Sequence, residues 1–322
     1  MKVLVTGATG FVGSHLVEAL RRRGDAVTVL ARSAQKAAAL APLGVDVVPG
    51  DLNDRTALAR AVQGRDVVYH VAGVVAARSE ADFRATNRDG TRNLSDAGRS
   101  AGGSRLVLVS SMAAAGPTIK GRPLRGDEAP RPVTAYGRSK LAAEQVVTAS
   151  GLDWTIVRPP VVYGPRDQEV LKVFRLARLG IAPVLGDGSQ ELSAVYGPDL
   201  AEALIAAATS ASAAGRTYYA CHPEVFTGTQ MARAVGRAMG RSPAVIRVPA
   251  AVGRGVLSLT GAAARVAGRT TILTADKANE FFQPAWTGDP ARLTRDTGWR
   301  AAHDLAAGLE ETYRWYRAAG WL

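Results

Sequence analysis

Tyr136 and Lys140 stand four residues apart in a stretch, Ala135–Ala149, whose pattern predicts a helix, so their side chains share one face. A phenol beside an ammonium group is a proton-transfer pair, because the cation lowers the phenol's pKa toward working pH. Ser110 and Ser111 end a short apolar run, Leu106–Val109, and a hydroxyl there can hydrogen-bond a reacting oxygen. Either serine fits that role. Alone, a Tyr/Lys pair at this spacing is an ordinary solvated helix face. It gains weight from a second feature near the N-terminus.

There Val3–Val5 leads into TGATGFVG, a G-x-x-G-x-x-G spacing, and then an amphipathic helix. Gly7 permits the tight turn, Gly10 lets backbone approach a pyrophosphate, and Gly13 allows close helix–strand packing. Thr9, Phe11 and Val12 complete a loop and helix start whose free N–H groups and dipole suit phosphates. At the end of the second strand an acid would mark NAD, yet no Asp or Glu occurs from Ala26 to Val45. Arg32 stands there instead, where a cation meets a 2′-phosphate. The prediction is NADP(H), with NAD(H) as the second choice. Asp51 and Leu52 follow the third strand, placed for the adenine edge. Val71 and Ala72, after the fourth, offer small side chains where the cofactor passes.

The elements that must position these residues alternate. Strands are predicted at Val3–Val5, Ala26–Leu30, Val45–Val48, Val67–Val71, Leu106–Val109 and Thr155–Val157. Helices fall at Ser14–Arg23, Ala34–Leu40, Arg55–Val62, Glu80–Ser100 and Ala135–Ala149. Such alternation means a doubly wound parallel α/β sheet with its ligand edge at the strands' C-terminal ends. After Arg158 the rhythm changes: Pro159, Pro160, Gly164 and Pro165 break the chain. A helix is predicted at Gln168–Leu179 and a strand at Arg216–Ala220, and from there to Leu322 the pattern is mainly helical with Gly, Pro and Trp breaks. The expected division is a nucleotide-binding domain at 1–165 with 193–221, and a smaller, mainly helical, interleaved substrate domain from 166–192 and 222–322.

Composition narrows the function classes. At 322 residues, 47% hydrophobic and 21% charged, the chain is globular rather than disordered. Its net charge of +12 suggests an anionic partner, but the surplus is almost all arginine and reads as coding bias. Arg21-Arg22-Arg23 is the one tight basic run and lacks interleaved aromatics, so no nucleic-acid partner is expected. One cysteine, Cys221, and four scattered histidines argue against disulfides and a metal site. No uncharged apolar run reaches spanning length, so a cytoplasmic protein without integral membrane association is expected.

The sequence resembles the extended short-chain dehydrogenase/reductase family, epimerase/dehydratase-like, on TGATGFVG, SSMAAAG at 110–116 and Y-G-R-S-K at 136–140. Asn87-Arg88-Asp89-Gly90-Thr91 is similar to the family's N-x-x-G-T, and residues 158–165 to its R-P-x-x-V-Y-G-P turn. The resemblance implies a Rossmann sheet, with Tyr136 as general acid/base and Lys140 on the nicotinamide ribose. It favours Ser111 over Ser110, places Pro159 against the nicotinamide, and makes Asn87 a helix-stabilising or water-relay residue. It also implies a homodimer through helices near 80–100 and 135–149.

Departures from the pattern sort the branches. Ser111 is followed by Met112 and Ala113 where sugar dehydratases carry an Asp-Glu pair. Glu191 and Leu192 are poor diphosphate partners, which leaves Arg166, Arg175 or Arg178 for a sugar nucleotide. The resemblance is nearest the 3β-hydroxysteroid dehydrogenase and dihydroflavonol reductase branch. The leading expectation is hydride transfer between NADP(H) and a ketone or secondary alcohol of an apolar, steroid-, flavonoid- or lipid-like small molecule. The alternatives are a nucleotide-sugar epimerase with tightly bound NAD and a non-catalytic NAD(P)-sensing protein. Apolar residues of Ala250–Gly268 (Val252, Val256, Leu257, Leu259, Val266), with Phe281, Phe282 and Trp286, are candidate pocket walls.

Overall fold

The computed structural model describes the chain from Met1 to Leu322. Its centre is a seven-stranded parallel sheet of β1 (Lys2–Thr6), β2 (Ala26–Ala31), β3 (Asp46–Pro49), β4 (Val67–His70), β5 (Arg105–Val109), β6 (Trp154–Arg158) and a last strand at Arg216–Tyr219. The spatial order is β3-β2-β1-β4-β5-β6 followed by Arg216–Tyr219, so the order reverses between β1 and β4. That reversal opens the crevice in which doubly wound sheets bind ligands. Strands buried on both faces need runs such as Val3-Leu4-Val5, all fully buried.

Two apolar layers hold helices to the sheet. On one face Leu16, Val17 and Leu20 of the Phe11–Arg22 helix pack with Leu200 and Leu204 of the Gly197–Thr209 helix. On the other, Leu58, Leu94, Ala143 and Val147 come from the Arg55–Val62, Gly90–Ser100 and Ala135–Thr148 helices. A third cluster, around Phe174, Tyr163, Leu309 and Tyr316, lies outside the sheet among the later helices.

Two elements differ from the sequence reading. The expected helix over Glu80–Ser100 is interrupted by a π-helical turn at Ala85–Asp89, which sets Asn87 inward. A single π-turn has no residue signature of its own, so the sequence pattern does not show it. The later half also holds short strands that the sequence reading did not name: Val161–Tyr163 pairs with Ala194–Tyr196, and Ile181–Leu185 with Ala244–Val248, the last in a stretch read as helical. Strands of three to five residues carry too few alternations to be read.

Candidate active site

The glycine loop is shaped by contacts that leave no room for a side chain. Gly7 has φ +71°, and a Cβ there would lie 2.6 Å from the Ala72 amide nitrogen. A Cβ on Gly13 would lie 2.1 Å from the Gly7 carbonyl oxygen. The helix starting at Phe11 has no side-chain cap and no acid in its first turn. The result is a cradle of backbone donors at a positive helix end, beside the small residues Val71 and Ala72. This fits a dinucleotide pyrophosphate.

Buried polar groups fix this edge. Thr6 Oγ1 accepts from the Ala72 amide at 3.2 Å and lies 2.7 Å from His70 Nδ1, while His70 Nε2 lies 2.9 Å from Thr91 Oγ1. Thr91 donates to the Asn87 carbonyl, so it accepts from His70, and Thr6 donates to Nδ1. The ring is therefore neutral with its proton on Nε2. Burial, with the Lys140 charge adding to it, pulls the His70 pKa down to about 3. As pH falls below 6.5 the unfolded chain binds a proton that folded His70 refuses, so stability drops between pH 6.5 and 3. Burial of His15, lowered to about 4, works the same way, while Asp167, raised by burial to about 6, opposes it. The expected result is a melting midpoint that falls from about pH 7 to about pH 5, with a shallower fall in His70→Gln. An unchanged slope in that variant would remove His70 from the account.

The chemistry-bearing side chains meet above β5. Tyr136 is on the first turn of the Ala135–Thr148 helix, which Thr134 caps by accepting from Gly137 N at 3.1 Å. Ser111 caps the short Met112–Ala115 helix, accepting from Ala113 N at 3.1 Å. The two helices touch closely: a Cβ on Gly137 would sit 2.4 Å from the Ala113 carbonyl oxygen. Burial pushes the Tyr136 phenol up to about 12, Ser111 hydrogen-bonding pulls it back, and Glu280 pushes it further up. Lys140 is buried, donates to the Val109 carbonyl at 2.7 Å, and is pulled by burial to about 8. Burial governs the phenol and the Lys140 ammonium is committed to the Val109 carbonyl, so the phenol is raised where a lowering was expected.

The two serines separate by their partners. The Ser110 hydroxyl donates to Glu144, which Arg158 holds through bonds of 2.9 and 2.7 Å. Ser111 is the one beside the phenol. Asn87 accepts from Val74 N at 2.8 Å and donates to Ser139 Oγ at 2.9 Å, and Ser139 donates to the Tyr136 carbonyl at 2.7 Å. Asn87 thus ties the β4 loop to the turn carrying Tyr136.

Beside Tyr136 opens a cleft of about 290 Å³, with Val75, Phe83, Gly261, Ala262 and Ile272 on its walls. The Ala275–Phe281 helix closes one side. Its Asp276 accepts from Ala135 N at 2.9 Å, and Lys277 Nζ lies 5.5 Å from the Tyr136 ring centre. Sequence reading missed this helix, because Asp276 and Lys277 belong to no motif and reach Tyr136 only through the fold. It also misplaced the pocket walls. Val252, Val256, Leu259 and Val266 point outward, Leu257 and Trp286 are buried in packing, and the Phe282 ring lies against Gly253 and Arg254.

Residues 3–221 match the model of the NAD dependent epimerase/dehydratase family. The chain belongs to this family. Members of this extended short-chain dehydrogenase/reductase type are NAD(P)-dependent enzymes, and a nicotinamide cofactor belongs with the glycine cradle. The chain is 35% identical over 324 residues to a ceramide reductase of Caulobacter vibrioides, covering 99% of this chain and 96% of that protein. It is 32% identical to a 3 beta-hydroxysteroid dehydrogenase/Delta 5→4-isomerase of Mycobacterium tuberculosis, covering 80% of this chain and 74% of that one. A UDP-glucose 4-epimerase of Thermus thermophilus in complex with NAD superposes with TM-score 0.79 at 27% identity, over 99% of this chain and all of that one.

The remaining family positions fall around the same edge. Arg32 is exposed just past β2 and forms no ion pair or side-chain hydrogen bond among the described residues. Asp51 Oδ1 accepts from Asn53 N at 2.8 Å, which shapes the turn after β3, whereas the Leu52 side chain packs inward against Gly90. Pro159 is buried and its carbonyl accepts from Met112 N at 3.0 Å, so it fixes the turn that carries Ser111. Arg166, the one non-glycine residue with positive φ (73°) among those described, directs its guanidinium to Glu18 and His15. It is not free for a sugar diphosphate. No three His, Cys, Asp or Glu side chains cluster as metal ligands among the described residues, and no helix is long and apolar enough to cross a membrane.

Proposed function

We propose that the chain is an NADP(H)-dependent reductase/dehydrogenase interconverting a ketone and a secondary alcohol on an apolar small molecule. The observation that carries this reading is the Tyr136 phenol, hydrogen-bonded by Ser111, on the lining of a cleft where apolar Val75, Phe83, Ala262 and Ile272 stand among charged Glu80, Arg265, Asp276 and Lys277. The names of the Caulobacter and Mycobacterium relatives agree with it. The engaged Arg166 weakens the sugar-nucleotide alternative, which is left with the exposed Arg175 and Arg178 for a diphosphate.

Gly7, Thr9, Gly10, Phe11, Val12 and Gly13 would hold the cofactor's pyrophosphate, Asp51 and the backbone of Leu52 its adenine, and Val71, Ala72 and Pro159 the path to the nicotinamide. The bound nicotinamide supplies the hydride chemistry. Ser111 orients the substrate carbonyl oxygen by hydrogen bonding. Tyr136 keeps its proton at neutral pH and is therefore loaded to donate it to that oxygen, which favours the reducing direction. Lys140 would bind the nicotinamide ribose, exchanging its Val109 bond for that contact.

Arg32 sets cofactor choice in this reading. A guanidinium–phosphate bond contributes about 1.5–3 kcal/mol, roughly tenfold to a hundredfold in affinity. The expected kcat/KM with NADPH exceeds that with NADH by this order, and Arg32→Asp removes or inverts the preference. A roughly tenfold preference of the unaltered enzyme for NADH would overturn the assignment.

A further inference from the structure

The Ala250–Val266 helix presents three faces. Gly253 and Leu257 pack inward, and Ser258, Gly261, Ala262 and Arg265 line the cleft beside Tyr136. The third face carries Val252, Val256, Leu259, Ala263 and Val266, all exposed, with Leu259 at 74% and Val266 at 92%. At 3.6 residues per turn these five fall within an arc of about 80°. No other element gathers as many exposed large apolar side chains among the described residues.

Three exposed arginines, Arg254, Arg265 and Arg269, flank the stripe on its own helix and the turn that follows. Between Glu224 and Asp276 there is no Asp or Glu, while Arg233, Arg237, Arg241, Arg247, Arg254, Arg265 and Arg269 are all exposed. None of them forms an ion pair among the described residues; Arg254 lies 5.2 Å from the Phe282 ring centre, and Arg241 donates to the Arg178 carbonyl. Of the acids near the cleft, Glu80 pairs with Arg138 and Glu280 with Lys277, while Asp276 accepts a backbone hydrogen bond from Ala135 N. A second copy of the chain on this face would bring arginine against arginine, which disfavours self-association. An anionic lipid surface matches both the apolar stripe and its cationic surround.

We propose that the Ala250–Val266 helix docks the enzyme on anionic bilayers, its apolar stripe entering the headgroup boundary and the cleft mouth facing the lipid. This makes it a peripheral contact through which an apolar substrate can enter from lipid. The entry route rests on the reductase reading. The test reads vesicle binding without turnover, so it can fail while that reading stands, and the reverse. Full-length protein is sedimented with phosphatidylcholine vesicles, with and without phosphatidylglycerol. Partitioning should be at least about tenfold greater on the anionic vesicles and fall with salt. The double variant Val256→Asp/Leu259→Asp should lose at least about tenfold in partitioning while melting normally. Cys221 is buried, so a fluorophore on Val266→Cys reports insertion, with a blue shift expected on anionic vesicles alone. Equal partitioning on neutral vesicles, binding that survives the double variant, or no blue shift would overturn the proposal. So would a salt-stable dimer that the double variant dissociates, since that would give the stripe to a second copy.

Discussion

Replacing Tyr136 by Phe is expected to lower kcat by about 10²–10⁴-fold while cofactor affinity stays near its original value. The substitution removes one oxygen from a phenol whose ring already packs against Phe83, with centroids 6.0 Å apart, so the fold keeps its contacts. What disappears is the proton donor. Binding, read by cofactor fluorescence, involves the glycine cradle and Arg32, which the change does not touch. A variant that retains kcat within about tenfold would show that another group moves the proton. The phenol's position near 12 adds a directional test, since oxidation of an alcohol needs the ionised form. Alcohol oxidation should therefore rise with pH above neutrality, while ketone reduction is already supported at about pH 7.

Much of this was legible because local rules and global fold agree. The six early strands are apolar runs closed by Gly, Pro or polar residues, and β1 leads into the glycine loop without interruption. The Tyr136/Lys140 spacing needs only a helix to place both side chains on one face, and the helix is there. The choice between Ser110 and Ser111 could not be read from residue types, since adjacent strand-end positions point to opposite sides. In the structure the Glu144 carboxylate at Ser110 and the phenol at Ser111 separate them, on the side the family resemblance favours. A lowered phenol pKa follows from sequence distance alone. In space, Lys140 commits its ammonium to the Val109 carbonyl, and burial governs Tyr136. The Ala275–Phe281 helix was invisible for a simpler reason: its hydrogen bond from Ala135 to Asp276 crosses 141 residues of chain.

The apolar residues of Ala250–Gly268 show the reverse failure. Their hydrophobicity reads as a wall facing the substrate, which is the commoner fate of such residues. Sequence could give their common face but not what that face meets, because the helix packs by Gly253 and Leu257 instead. Solvent exposure of the stripe is the structural fact that turns a pocket expectation into a surface.

The largest effect on stability is expected at Glu144, where the catalytic helix meets the core. Tyr136, Lys140 and Glu144 follow one another at four-residue steps along one face, so the chemistry and its support are the same stripe. Glu144 and Arg158 are both buried and joined by two hydrogen bonds, and Ser110 and Tyr219 complete the network. Burial works against the Arg158 charge, and Glu144 more than restores it. Glu144→Ala leaves that guanidinium buried and unpaired, at a cost of about 3–5 kcal/mol in denaturant unfolding. Desolvating the pair offsets much of its attraction, so the intact bridge is worth far less than its breakage costs. The double variant Glu144→Leu/Arg158→Met should accordingly recover most of the loss. If Glu144→Ala cost under about 1 kcal/mol, as an exposed pair would, water must reach the guanidinium. If the double variant were as unstable as the single, the loss would lie in packing rather than in unpaired charge. Glu144 also raises the Lys140 pKa against burial, so its removal should lower the pH at which Lys140 loses its proton from about 8. The support under the stripe thus holds the charge state of the site as well as its position.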